Sequence, residues 1–434
     1  MKYDVVIIGG GMAGLIAGIR CADSGLSTAI ISAGVSALHF SSGCIDLLGR
    51  TADGGVAREP FSSMPEFLAA RPGHPYARVG ENTLRASLAF FQEETACAGL
   101  PYCDNGDENH FHVTALGTVK PAYLSPEGVF SELVKTAFET RRCLAILNFK
   151  GFRDFHPRLA AANLAKNPLF SDWKISTGSL TLPPIAPQGK NPRELRSIDI
   201  ARLFDTESRL GEVAEQIKEI APGADFVAVP AFLGTSPRRG AEKRLSLLAG
   251  RLIYEVPTLP PSLLGMRLDA ALKARFAARG GVFIAGDRVT GGRIEGGKLR
   301  FLSTHQAGED AMSARFFILA TGSFFSGGLK SRFDAVEEPI LNLALDRTLP
   351  RNTWYSSKFL GDESHPFLSF GVNVDENANP RDADGRTVTN LFCAGAVLSG
   401  YDPVREGSGS GVAIATGYFA AGRVMALSKT PTGI

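Results

Sequence analysis

Cysteine, tryptophan and methionine are scarce in this chain: six, two and six among 434 residues. Cys21, Cys44, Cys97, Cys103, Cys143 and Cys393 are scattered, and no two form a Cys-x-x-Cys pair. That spacing argues against a disulfide framework and against an iron–sulfur cluster held by this chain alone. Buried or idle thiols in a reducing compartment are the expectation. Neither sign of charge is in excess. There are 46 basic and 44 acidic side chains, a net charge of +2, and no basic run. Nucleic acid and a membrane-surface patch therefore lack an electrostatic motive. Long hydrophobic runs are missing too. The apolar stretch 5–19 is too short to span a bilayer. Asp4 precedes it, Lys2 supplies its only positive charge, and Arg20 stands before Cys21, where a lipoprotein cleavage site wants a small residue. It reads as strand, turn and helix inside a cytoplasmic protein.

Glycine, by contrast, is abundant at 48 residues, many of them clustered. Residues 3–8 are apolar and largely β-branched, as a buried parallel strand requires. Met12, Leu15, Ile16 and Ile19 then fall on one helical face, Ser24-Gly25 ends the helix, and 27–31 is a second strand. The turn between is Gly9-Gly10-Gly11-Met12-Ala13-Gly14. In this setting Gly9 permits the tight turn, Gly11 lets backbone approach a phosphate, and Gly14 lets helix pack on strand. The helix start offers free N–H groups to the anion. These features predict a Rossmann-like nucleotide-binding half. The second strand normally ends in Asp or Glu to hold an adenosine ribose; here it ends in Ser32.

Beyond residue 55 the pattern loosens. Scattered Pro and Gly, helical stretches at 83–98 and 157–166, and short strands at 144–149 and 225–230 suggest an inserted domain. The expected class is α/β: a Rossmann-like FAD/NAD(P)-binding domain over 1–55, 241–330 and 385–434, with a second, inserted α+β domain over 56–240 and 331–384. Helices are expected at 263–280 and 411–427, and strands at 282–285, 299–303, 316–319 and 390–394. Four further segments are candidates for the site. His39, Ser41, Ser42 and Gly43 follow the second strand, where small hydroxyl residues and a glycine can line a flavin ring and His39 can carry a proton; a plain polar loop explains them equally. Ala320-Thr321-Gly322 returns the chain past a cofactor. Ala394-Gly395-Ala396 follows a strand, with Ala396 where an acid often holds the ribityl chain. Gly407-Ser408-Gly409-Ser410-Gly411 opens the last helix, whose positive end would face the pyrimidine side of the ring. Arg405 and Glu406 are either a redox-site charge pair or a local salt bridge. Arg238-Arg239 is either a phosphate grip or, more simply, a solvated helix start. His110 and His112 share one strand face, and two ligands do not make a metal site.

The order of these segments resembles the flavoprotein group that includes fumarate reductases, as does 254–268 as a helix entry. The signature loop Ser36-Ala37-Leu38-His39-Phe40-Ser41-Ser42-Gly43, continued by Asp46-Leu47-Leu48, resembles the B-subunit family of anaerobic glycerol-3-phosphate dehydrogenase. So do 151–155 and 405–411, and the likeness spans nearly the whole chain. The resemblance implies an FMN-assigned flavoprotein, with FAD as the alternative. It implies action beside a catalytic partner that oxidises sn-glycerol 3-phosphate to dihydroxyacetone phosphate on its own FAD. A third, membrane-anchoring partner with iron–sulfur centres holds the pair at the cytoplasmic face of the inner membrane, and electrons pass on to quinone and then fumarate or nitrate. Ser32 and Ala396 suit a cofactor other than conventionally bound FAD; the intact glycine loop suits two phosphates. The rival readings are a stand-alone flavin oxidoreductase of a small acid or alcohol and an assembly subunit without cofactor.

Overall fold

The computed structural model describes residues 1–130, 142–181, 195–205, 208–236, 240–346, 349–361 and 363–429. They fall into two compact units. The first comprises Met1–Ala37, Asp46–Glu94 and Leu272–Ile434, the second Leu38–Ile45 and Thr95–Ala271.

The first unit is built on a seven-stranded sheet. Its centre is Lys2–Ile8, whose residues Val5 to Ile7 are wholly buried. Thr28–Ser32 pairs parallel on one side and Gly308–Leu319 parallel on the other, with Val5 opposite Thr28 and Phe316. Val282–Ala285 extends the sheet beyond Thr28–Ser32. The helix Met12–Asp23 makes the first crossover, as its apolar periodicity predicts. The expected strand 316–319 is only the buried end of Gly308–Leu319. Its earlier, more polar half runs antiparallel beside Lys298–Thr304, which pairs in turn with Val289–Glu295. Glu295 faces Lys298 across a two-residue turn in which Gly296 and Gly297 have φ of 57° and 71°. That left-handed pair is the hairpin geometry glycine best supplies. Leu391–Cys393 pairs parallel with the end of Gly308–Leu319.

The helix Gly409–Ser428 is long and apolar enough to cross a membrane by length and composition. Here it is a core helix: its buried side carries Val412, Ile414, Ala415, Ala420 and Val424. A Cβ on Gly417 would stand 2.4 Å from the Ala13 carbonyl oxygen, so this helix and Met12–Asp23 meet backbone to backbone.

Residues 331–384 carry little regular structure, as expected, but they lie in the first unit and not in the second. Leu341, Leu343, Val372 and Val374 join one apolar core with Val6, Leu319 and Val397, which explains the difference. The helices Pro60–Ala69 and Glu81–Cys97 also begin in the first unit, where buried Glu94 pairs with Arg275 at 2.6 Å and Arg279 at 3.1 Å. Conversely, 241–271 belongs to the second unit, with Leu245 and Tyr254 in its core.

The second unit holds a four-stranded sheet in the order Leu252–Val256, Phe226–Pro230, Cys143–Phe149, Lys174–Leu180. Every pairing in it is parallel. Two antiparallel ribbons, His110–Val113 with Val119–Ala122 and Tyr102–Cys103 with Ser125–Pro126, stand apart from that sheet among the described residues. The inserted domain, expected as α+β, thus has a parallel main sheet. The cause is legible in Leu144 to Phe149 and Phe226 to Pro230, which are buried throughout and so need cover on both faces. Beside this sheet Arg267 and Glu255 form a buried bidentate pair at 2.6 and 3.1 Å, and Arg267 also donates twice to the Gly234 carbonyl. Both border a cleft of about 210 Å³, with Glu127, Glu242 and Lys243.

Candidate functional site

The glycine loop has the geometry that its spacing predicts. Gly9 has φ +115°, and a Cβ there would stand 2.2 Å from the Ala320 carbonyl oxygen. A Cβ on Gly14 would stand 2.0 Å from the Gly9 oxygen. Gly10 would collide with Phe283 and Ser32. Gly11 differs: nothing lies within 4 Å of its ideal Cβ, so this residue faces open space. Gly11 is also the N-cap of Met12–Asp23, makes no side-chain cap bond, and is followed by no acid in the first turn. The helix start, Met12, Ala13 and Gly14, therefore presents backbone donors and a positive dipole end toward that space.

Three of the other expected segments converge on this loop. Ser32 abuts Gly10; its hydroxyl is buried and donates to the Gly34 carbonyl at 3.1 Å. The turn at Thr321 and Gly322 follows Ala320, which lies against Gly9, and Gly322 has φ +82°. Thr321 Oγ1 is buried and has no protein partner. Gly395, at φ +76°, packs on Ala13 and donates its N–H to Thr416 Oγ1 at 2.8 Å, with Ala396 next in the same short turn. An uncapped helix start, open space at Gly11 and an orphaned buried hydroxyl fit a phosphate-bearing flavin.

The 405–411 segment departs from expectation in two ways. Arg405 and Glu406 do not pair. Glu406 is buried, 3.2 Å from His74 Nε2 and 3.8 Å from Arg71 Nε, and it accepts a bond from Ser408 Oγ at 3.0 Å. Consecutive residues of a helical turn do not face each other, and both sit in the short helix Pro403–Glu406, capped by Asp402. The start of Gly409–Ser428 is also partly occupied from within. Ser410 N donates to Asp46 Oδ1 at 2.9 Å and Gly411 N to the Asp46 carbonyl at 2.8 Å. Asp46 thus acts as cap and counter-charge where an open anion site was expected. Gly407 takes φ +63° against Gly49, and Gly409 packs near Pro403. Tyr76 and Tyr401 are buried in this cluster, Tyr76 donating to the Leu47 carbonyl at 2.8 Å. Burial, and then nearby carboxylates, push both phenols up from their ordinary value.

His39, Ser41, Ser42 and Gly43 belong to the second unit. His39 Nε2 lies 3.1 Å from buried Asp269 Oδ2. Ser41 Oγ donates to the Leu38 carbonyl at 2.8 Å, and Ser42 Oγ accepts from Cys44 N at 3.3 Å. Gly43 has φ +76°, and its carbonyl accepts from Tyr102 at 2.6 Å. The serine hydroxyls therefore shape the loop itself. His110 Nε2 and Ser125 Oγ are 2.6 Å apart; His110 and His112 are both buried. Arg238 and Arg239 lie outside the described residues. The contacts made by Asp46, His74 and Asp269 escaped the sequence reading because each acts on a residue hundreds of positions away.

Comparison with known proteins gives this geometry a family. Residues 4–412 match a family model described as an FAD binding domain. A Vibrio cholerae serotype O1 protein, named as the B subunit of anaerobic glycerol-3-phosphate dehydrogenase, is 40% identical over 427 residues, 98% of this chain and 97% of that one. A Vibrio vulnificus relative of the same name is 39% identical over 99% of this chain and 98% of its own. One from Yersinia enterocolitica is 35% identical over 98% of each. The cofactor class is thereby a flavin, most directly FAD, and the FMN expected from resemblance gains no support. With its phosphate loop, its flavin-binding fold and these relatives, the chain belongs to the B-subunit family of anaerobic glycerol-3-phosphate dehydrogenase, a family of flavin oxidoreductases.

Proposed function

We propose that this subunit holds FAD at the glycine loop and relays electrons within its dehydrogenase. They would come from a catalytic partner that oxidises sn-glycerol 3-phosphate to dihydroxyacetone phosphate. They would leave toward the iron–sulfur centres of a membrane-anchoring partner and the quinone pool. Fumarate or nitrate is then the terminal acceptor. The carrying observation is the uncapped helix start facing open space at Gly11. A bound flavin supplies reversible two-electron redox chemistry. Met12, Ala13 and Gly14 would hold its phosphate through backbone N–H groups, and Thr321 Oγ1 would find there the partner it lacks in the protein. Gly9, Gly10 and Gly14 keep side chains out of that approach. Gly395, which packs on Ala13 at the helix start, and Ala396 beside it would lie against the cofactor. Location at the cytoplasmic face of the inner membrane would come through the anchoring partner.

FMN is the second reading. It is favoured by Ser32, which carries no charge for a ribose and spends its hydroxyl proton on Gly34. One experiment decides. The chain is purified with and without its partner subunits, and the released cofactor is chromatographed, for wild type and Gly11→Val. FAD in wild type and none in the variant is expected. FMN would establish the second reading, and a colourless, folded wild type would end both. Reduction of the isolated chain by glycerol 3-phosphate would favour a stand-alone oxidoreductase instead.

A further inference from the structure

The exposed aromatic side chains of the first unit are gathered in one place. Phe325, Phe333, Tyr355, Phe359 and Leu360 are 66, 92, 61, 83 and 92% exposed. Ring contacts link the stretches that carry them. Phe324 lies 6.0 Å from Phe367, Phe367 5.8 Å from His365, and His365 5.8 Å from Phe359. Arg351 ties in Phe333: it donates to Ser331 Oγ at 2.9 Å and the Arg332 carbonyl at 3.3 Å, and its guanidinium lies over Trp354, next to Tyr355. The loop under Phe359 and Leu360 is braced by His365, whose Nδ1 accepts from Ser356 N at 3.2 Å and whose Nε2 donates to the Phe359 carbonyl at 3.0 Å. Trp354 donates to the Leu349 carbonyl and accepts from Phe367 N, which fixes the base.

A single exposed apolar residue needs no explanation, but several aromatics held out together on a braced loop mark an interface. We propose that this face docks a second, non-identical subunit of the same dehydrogenase, one presenting an apolar recess with a weakly acidic rim. Membership of a family named for one subunit of an enzyme supplies the occupant, since such a chain has a neighbour to cover part of it. The charges select its chemistry. Lys330, Arg351 and Lys358 are exposed in these same stretches, as are Asp334 and Glu363, while Arg332 pairs with Glu337 at 2.5 Å. Aromatics with arginine and nearly balanced charge are the composition of a protein interface. An anionic lipid surface asks instead for a polybasic cluster. The proposal rests on subunit membership and not on which flavin is bound.

The test uses the complex. The chain is co-expressed with the other subunits of its dehydrogenase as wild type, as Phe359→Ser with Leu360→Ser, as Phe333→Ser, and as Leu247→Ser. Leu247 is a control, 83% exposed in the second unit. Association is measured by co-purification and by titration of the purified subunits, with flavin content read in parallel. The expected result is association weakened about tenfold or more in the patch variants, as for a central contact, with the control and the flavin content unchanged. Unchanged association overturns the proposal. So does a loss confined to self-association or to binding of phosphatidylserine vesicles. Should a variant fail to fold, hydrogen exchange on the wild-type complex decides: residues 351–361 gain protection when the partner is present, and their lack of protection overturns the proposal. A wild-type complex that assembles without flavin would count against the flavin reading alone.

Discussion

His74 Nε2 lies 3.2 Å from Glu406 Oε2, and the two side chains are 0% and 5% exposed. Nδ1 of the same ring accepts the Tyr76 N–H at 3.0 Å, so the ring proton sits on Nε2 and is donated to Glu406. The pair joins residues 332 positions apart, and the segment expected to carry an Arg405–Glu406 charge pair is held by a histidine instead.

His74→Ala is expected to destabilise the first unit by about 1–3 kcal/mol, because Glu406 keeps its burial and loses a donor. Urea denaturation measures it. In a double-mutant cycle with Glu406→Gln the two losses should fall short of additivity by roughly 0.5 kcal/mol or more. Strict additivity would show that the contact contributes nothing.

Removing one partner of the Arg267–Glu255 pair should be harsher. Arg267→Met strands a carboxylate that is 1% exposed, at a cost of about 3–5 kcal/mol. Adding Glu255→Leu should recover most of that loss. A single variant no less stable than a surface substitution would refute the account.

Burial, and then the Glu255 carboxylate, push the Glu242 carboxyl up from its ordinary value. The folded state therefore holds this proton more tightly than the unfolded chain. Its contribution is complete below the ordinary carboxylate range and drains away as pH rises through the raised value. Glu242→Gln should thus gain on wild type as pH rises above the ordinary carboxylate range. Parallel curves of denaturation midpoint against pH would contradict this.

Two alanines should separate folding from cofactor binding. Gly11 has an ordinary φ of −85° and open space around its Cβ. Gly11→Ala is expected to leave the melting temperature of the flavin-free chain nearly unchanged and to lower its flavin content. Gly14→Ala, with its Cβ 2.0 Å from the Gly9 oxygen, should cost both. The ratio of flavin to protein absorbance, set against thermal melts, tests the contrast. Full flavin in Gly11→Ala would remove the phosphate from this loop.

What could be read from the sequence was local. The strand, turn and helix of 2–23 declare themselves because their period and their glycines lie within one short stretch. Of Gly308–Leu319 only the apolar end announced itself; its other half is a strand because of the antiparallel neighbour it meets. Residues 331–384 have no period at all. Leu341 and Val372 find their core against strands far away in the chain, so no local rule could assign them to a unit. The site divides the same way. Gly9, Gly11 and Gly14 were legible by spacing. Asp46 at the helix start, His74 on Glu406 and Asp269 on His39 were not, because a long-range hydrogen bond leaves no pattern in sequence.

The bond between Asp46 and Ser410 has a consequence for the birth of the molecule. Its partners are 364 residues apart. At ordinary ribosomal speeds roughly 20–70 s pass between the synthesis of one and of the other. For most of that interval the first strand lacks its neighbour Gly308–Leu319, and throughout it Met12–Asp23 lacks the helix that packs on it. The earliest segment to leave the ribosome is thus the last to be finished. An apolar strand edge waits in the open until residues 308–319 have emerged, a long exposure during which chaperone supply and translation rate can act on the yield of folded subunit.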